Sequence, residues 1–471
     1  MRWYATLSDV LPARRRVGGA LSCGQDRIPA PSQRDQRPTV PVKADDLRSP
    51  NCAVPTGPAL WGHVILRHRC AMETTERSDI LTLPVERPAG CPFDPPAELR
   101  ERPGLSRLAY PDGHTGWLAT TRDLTRAILA DPRFSIRYDL LHLPYETGTS
   151  APYPPAEPGD FTGMDAPEHN RYRRLLAGEF TVRRMRRLTE RIEQVTAARL
   201  DEMERVGPPT DLVQAFSLPV PTAMICEMLG VPIEDQEEFL REAIVITACR
   251  PGETISVEDW TKAITDLQAY IGRLVVAKRA NPTDDMLSGL TKSDLTDQEL
   301  SNIGVMLLGA GLETTSSMIS LSTWTLLNNP EQLAALRADP SKTESAVEEL
   351  LRYLTIVPVI MRTALEDTEL DGTLISKGET ITLHLAQANR DPKYHTGADD
   401  LDIARDAVSQ VAFSHGIHQC IGQQLARVEL RVTLPALLNR FPNLRLAVPE
   451  EEVVLGGTAS MAGVKSMPVT W

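Results

Sequence analysis

The chain has 471 residues, 42% hydrophobic and 24% charged, with a formal net charge of −13. That length suits one large domain or two to three small ones, with a core large enough to enclose a cofactor. The acidic balance argues against binding a phosphate backbone, so no nucleic-acid partner is expected, and no run of about 18 apolar residues marks a membrane span.

Seven cysteines, at 23, 52, 70, 91, 226, 249 and 420, are scattered and none forms C-x-x-C. An odd, dispersed set argues against a disulfide framework and fits a reducing cytoplasm.

Residues 1 to about 71 differ from the rest. They hold Pro12, Pro29, Pro31, Pro38, Pro41, Pro50, Pro55 and Pro58, and eleven Arg or Lys against five Asp. No amphipathic period runs through them. The segment reads as disordered, or as an extension upstream of a start at Met72. The run RRRVGGALSC (14–23) resembles an export signal, but the apolar stretch behind it is short and Gly-rich.

From about Pro84 the pattern becomes orderly. GWLATTRDLTRAILAD (116–131) predicts a short strand running into a helix. Residues 138–163, rich in Pro, Gly and Tyr, predict a long loop of the kind that often carries function. Helical periods follow at 168–186, 188–205, 210–229, 234–248 and 257–280. The strongest, 297–328, opens on a Thr296/Glu299 capping box and stops at Asn328-Asn329-Pro330. At roughly 48 Å by the helical rise, it predicts a helix through the middle of a domain. TLISKGETITLHL (373–385) is strand-like, and Pro435 predicts a kink in the last helix. The fold class is mainly α with a small β region.

FSHGIHQCIG (413–422) places Cys420 on a glycine-rich loop before a helix, QQLARVELR. Backbone N–H groups of the loop and the helix start can stabilise a thiolate there. Gly416 and Gly422 leave room for a flat group, Phe413 can shield the sulfur, and His418 can reach a carboxylate. Cys420 alone would read as a buried structural cysteine. In LLGAGLETTSSM (307–318), the small residues Gly309, Ala310 and Gly311 imply either a flat neighbour or a helix–helix contact. Glu313 and Thr314 put an acid beside an alcohol there, and a mid-helix hydroxyl can bond the carbonyl one turn back. Glu349 and Arg352 are an i,i+3 pair, which unaided reads as solvated. His169 and Arg173, at i,i+4, suit an anionic carboxylate or a plain basic face.

Taken together, these motifs resemble the cytochrome P450 family of haem-thiolate monooxygenases over about residues 84–471. F-x-x-G-x-H-x-C-x-G is the family's haem-binding signature, with Ser414 where glycine is more usual. The resemblance implies a single domain over 72–471 with haem b between the long central helix and the Cys-loop helix. It implies Cys420 as the metal ligand. Phe413, Gly416, Gly422, Ala310 and Gly311 would line the haem, while His169, Arg173, Arg362 and His418 would hold its carboxylates. Thr314 and Glu313 would deliver protons. Glu349–Arg352 would be a buried brace, and its usual third partner would fall near Asp400, with Arg405 as a substitute. ANPTDDMLSGL (280–290) and ANRDP (388–392) match the soluble bacterial branch.

The implied reaction inserts one atom of O2 into an apolar small molecule, a secondary metabolite such as a polyketide. The expected pocket comprises Leu308, Gly309, Val357, Val359, Ile360 and Met461, with the 138–160 loop, 238–258 and the turn at 458–464. Electrons would come from NAD(P)H through a ferredoxin and its reductase, docking on arginines such as Arg171, Arg174 and Arg427. The resemblance implies a cytoplasmic monomer. A peroxide-driven peroxygenase and a non-catalytic haem binder are the competing readings.

Overall fold

A computed structural model describes residues 80–471 apart from 85–93, 147–152, 180–181, most of 237–254 and 458–460. The expectations for residues 1–71, for a helix at 234–248 and for the turn at 458–460 fall largely or wholly outside the described residues. Residues 80–471 form one compact unit.

Nine described helices have nine or more residues: α1 (Arg122–Ala130), α2 (Glu168–Ala177), α3 (Val182–Val206), α4 (Pro219–Leu229), α5 (Val257–Ala280), α6 (Asp297–Leu327), α7 (Pro330–Ala338), α8 (Thr343–Leu354) and α9 (Gln423–Arg440). The predicted boundary between the 168–186 and 188–205 helices moves to Gly178, which ends α2. The 210–229 period divides as well. Thr210–Asp211 forms a strand, a π-helical turn follows at Val213–Ser217, and only Pro219–Leu229 is α-helical. Residues 138–163 contain only two short 3-10 turns among the described positions. The last helix, α9, is assigned without a break through Pro435.

Helix α6 is the axis of the fold. Its capping box is made: the Thr296 side chain accepts from the Glu299 amide, and the Glu299 carboxylate takes the Thr296 amide at 2.7 Å. Such a cap is worth about 1 kcal/mol. The same carboxylate accepts from Arg171 Nη1 at 2.6 Å and from the Tyr172 hydroxyl at 2.7 Å, tying α2 to the start of α6. Burial works against this anion, but the donors prevail and hold it at about 2. Helix α6 packs against α4, α5, α8 and α9. It is also the one described helix long and apolar enough to cross a membrane. Burial among other helices accounts for its apolar surface.

The main sheet has the order β1 (Leu81–Thr82), β2 (Leu105–Ala109), β3 (Thr115–Ala119), β6 (Thr380–His384), β5 (Val359–Ala364), β4 (Phe134–Ser135). Strands β3 and β6 run parallel, with Trp117 opposite Ile381, and β6 and β5 run antiparallel, with Arg362 opposite Ile381. Gly116 permits the β3–β6 approach, since a Cβ there would lie 2.1 Å from the Thr380 carbonyl oxygen. The 373–385 segment thus feeds two sheets: its first strand pairs locally and its second enters the main sheet.

Candidate active site

The loop before α9 holds Cys420 in a fixed pose. The Cys420 amide donates to the Phe413 carbonyl at 3.0 Å. The amides of Gly422 and Gln423 face the sulfur, and Arg173 and Arg427 lie near enough to favour its anion, but burial dominates and raises the thiol. A cation bound to the sulfur would reverse that balance. Arg427 stacks over the Phe413 ring at 4.7 Å and pairs with Glu348 at 2.5 Å, so α8 and α9 clamp the loop between them.

Gly416 is needed for a different reason than expected. A Cβ on Gly416 (φ +74°) would fall 2.2 Å from the Leu129 carbonyl oxygen, so this residue seats the loop on α1 rather than making room for a ligand. Gly422 does line the cavity, and a Cβ there would meet the Cys420 sulfur at 4.0 Å. Gly311 lines it too, yet a Cβ there would lie 2.6 Å from Ile225, which makes it a contact with α4. The helix–helix reading thus holds at that residue.

A cavity of about 230 Å³ lies between this loop, α2, α4 and α6. Cys420, Phe413, Gly422, His418, His169, Arg173, Ala310, Gly311 and Thr314 all line it. The Thr314 hydroxyl donates to the Ala310 carbonyl at 2.7 Å. Glu313 is half-buried and does not line the cavity. Arg362 lines an adjoining cavity that shares His418 with this one.

Of the expected pocket residues, Leu308, Gly309, Val357, Val359, Ile360 and Met461 do not line this cavity. Leu308 is fully buried in the core, and neither it nor Gly309 faces the cavity. Met306, Leu307, Ala310, Gly311, Thr314 and Thr315 do. The helical period explains the displacement, because Leu308 stands about 100° round the helix from Leu307. Val357, Val359 and Ile360 pack into three separate hydrophobic clusters, and Met461 lies off the cavity as well. Thr315 and Glu429 were missed. Glu429 is 2% exposed and its Oε1 has no partner. Burial pushes its carboxyl up to about 8, against a bond from Thr315. An acid on the apolar face of QQLARVELR was the signal in the sequence.

Four donors crowd one side of the cavity. The His169 and His418 rings lie 4.1 Å apart. His169 Nε2 is buried with no partner. Arg173 donates to the Gln419 carbonyl, and Arg362 to the Met361 carbonyl at 2.7 Å. Burial, then His169, Arg362 and Arg173, press His418 down to about 3, and burial lowers Arg362 to about 10. Such a cluster is costly without an anion, and two carboxylates would relieve it. A slot with a thiolate donor on one wall and carboxylate receptors on another fits a haem.

The brace is buried. Arg352 Nε donates to Glu349 Oε2 at 2.7 Å, with both side chains fully buried. Arg405 supplies the third partner, 3.2 Å from Glu349 Oε1, and the Asp400 backbone carbonyl accepts from both arginines. Asn389 takes the Val411 amide at 2.8 Å, linking the brace to the approach to the Cys420 loop. The expected docking arginines are partly committed elsewhere. Arg171 is held by Glu299 and Asp294, and Arg427 by Glu348.

The cytochrome P450 family profile matches residues 273–453. Cytochrome P450 105C1 from a Streptomyces species is 46% identical over 387 residues, 80% of this chain and 96% of its own. The structure of CYP105P2 from Streptomyces peucetius superposes with a TM-score of 0.75 at 39% identity, covering 82% of this chain and 98% of its own. LnmA, a cytochrome P450 hydroxylase from the leinamycin biosynthetic pathway of Streptomyces atroolivaceus, superposes at 0.72 with 40% identity, covering 80% and 95%. At this identity and coverage the chain belongs to the cytochrome P450 family and is a haem-dependent monooxygenase.

Proposed function

We propose that the chain hydroxylates or epoxidises an apolar small molecule of secondary metabolism, a polyketide being the leading class. The carrying observation is the Cys420 sulfur, faced by two amides, on the wall of a largely apolar cavity flanked by donors that lack an anion. The LnmA relative, a hydroxylase of a biosynthetic pathway, supports the substrate class.

In this reading Cys420 ligates the iron of haem b, and His169, Arg173, Arg362 and His418 receive its carboxylates. The bound haem supplies oxygen activation, and the protein positions substrate and moves protons. Thr314, on the cavity wall, passes protons inward, with Glu313 behind it. Residues 72–471 act as one catalytic domain, a cytoplasmic monomer, with 1–71 as an extension. Electrons arrive from NAD(P)H through a ferredoxin and its reductase. With Arg171 and Arg427 paired, Arg126 on α1 and exposed Arg174 are the better docking cations, since α1 carries the Cys420 loop.

The test is the CO difference spectrum of the reduced protein, followed by turnover with NADH, ferredoxin and reductase against turnover with peroxide. A thiolate-haem signature and reductase-dependent product are expected. Product with peroxide alone would instead indicate a peroxygenase. Thr314→Ala should lower product formed per NADH consumed while leaving the CO signature intact. Arg126→Glu should slow reduction by ferredoxin without altering substrate affinity, and unchanged reduction removes Arg126 from the docking surface.

A further inference from the structure

Thr162, Met306 and Ala310 each line two spaces. They belong to the cavity beside Cys420 and also to a second chamber of about 500 Å³ between the 153–162 segment, α5 and α6. The two spaces therefore meet at those side chains. The inner walls offer mainly apolar atoms. The outer chamber is mainly apolar too, but it adds Tyr138, Glu157, Asp160, Gln268 and Asn302.

This outer wall is fastened in place. Asn302 Nδ2 donates to the Pro158 carbonyl at 2.8 Å. Gly159 (φ +97°) lies so close to α6 that a Cβ would fall 2.4 Å from the Glu299 carbonyl oxygen. The Tyr138 ring rests on Gly163, where a Cβ would come within 2.6 Å of it. The Tyr138 hydroxyl and Thr162 Oγ1 are 2.6 Å apart, and Asp160 Oδ1 accepts from the Thr162 amide at 3.3 Å. Asp160 Oδ1 also meets the Thr162 and Tyr138 hydroxyls, and no Lys or Arg of the described residues forms an ion pair with this carboxylate. An acidic acceptor without a counter-cation, at the mouth of an apolar pocket, selects for donors and against anions.

We propose that the substrate spans both chambers. Its apolar body enters the inner cavity, and a hydrogen-bond-donating head, either a hydroxyl cluster or a protonated amine, is received outside Thr162 by Asp160 and Tyr138. Carboxylate-headed compounds are disfavoured. This inference rests on the reading of the inner cavity as the haem and substrate site.

Calorimetric titration of the haem-loaded enzyme tests it with three single-tailed probes below their micellar concentrations: dodecyl glucoside, dodecylguanidinium and dodecanoate. At least one donor-headed probe should bind about tenfold more tightly than dodecanoate, or roughly 1.4 kcal/mol. Preference for the glucoside identifies a hydroxylated head, and preference for the guanidinium a cationic one. Asp160→Asn and Tyr138→Phe should each cut the preference to threefold or less. Tyr138→Phe keeps the ring on Gly163, so it reports on the hydroxyl even if Asp160→Asn disturbs the loop. Equal binding of all three probes, or a preference unchanged in both variants, overturns the proposal. The CO difference spectrum separates the levels: a thiolate-haem signature with no head-group preference removes only this inference, whereas its absence from the parent protein removes the site reading beneath it.

Discussion

The two walls of the haem slot are built by opposite means. The Cys420 wall is local: ten residues, from Phe413 to Gly422, set its shape through backbone bonds and left-handed positions at Ser414 and Gly416. The α6 wall is regular helix, and what it presents depends on helical phase and on partners far away in sequence, such as Ile225 and the 153–162 segment. A substitution in the loop acts on the ligand directly. A substitution on α6 acts through packing, and its effect depends on which side of the helix it falls.

The sharpest break in this comparison is Cys420→Ser. It should abolish the thiolate-haem CO signature and reduce oxygenating turnover to background, because no other described cysteine lines the slot. Retained signature and turnover would show that the local wall is not the ligand wall.

Next is the brace that carries the loop. Glu349→Ala would leave Arg352 buried without its anion and deprive Arg405 of a partner. Breaking a buried pair from one side costs about 3–5 kcal/mol. Chemical denaturation should show a loss of that size, with a fall in bound haem. A loss under 1 kcal/mol would mean that the pair behaves as a solvated one.

Glu429 tests the wall that sequence reading missed. Its folded carboxyl is raised to about 8 from an ordinary 4.5, so the native state holds a proton that the unfolded chain releases. That contribution is full below pH 4.5 and is lost as pH rises through 8. Glu429→Gln should flatten the stability-versus-pH curve across this window, removing a slope worth a few kcal/mol in total. An unchanged slope would assign it to other groups.

What was legible in the sequence follows the same division. Cys420, His418 and Phe413 share one short loop, where spacing alone fixes proximity. The α6 span could be read from its cap and its stop. The pocket could not, since Leu308 and Leu307 look alike in sequence and differ only in the direction each faces. Val359 and Ile360 sit on a strand, where neighbouring residues face opposite sides of the sheet, and they enter different clusters. Arg171 and Arg427 looked like free surface charge because Glu299 and Glu348, their partners, lie 128 and 79 residues away. The outer chamber had only the length and composition of the 138–163 loop as a sign.

The smallest effect concerns the one departure in the loop motif. Ser414 stands at φ +63°, in the left-handed region, and its hydroxyl is buried without a partner. The backbone term costs about 1 kcal/mol and an unsatisfied hydroxyl about as much again. Ser414→Gly removes both but adds chain entropy to the unfolded state, a loss of roughly 0.5–1 kcal/mol. The net expectation is a gain of about 1 kcal/mol in denaturation, with an unchanged CO spectrum. If Ser414→Gly instead destabilises the protein while Gly416→Ala is tolerated, left-handed backbone does not set this wall, and the contrast with α6 has to be drawn from side-chain packing alone.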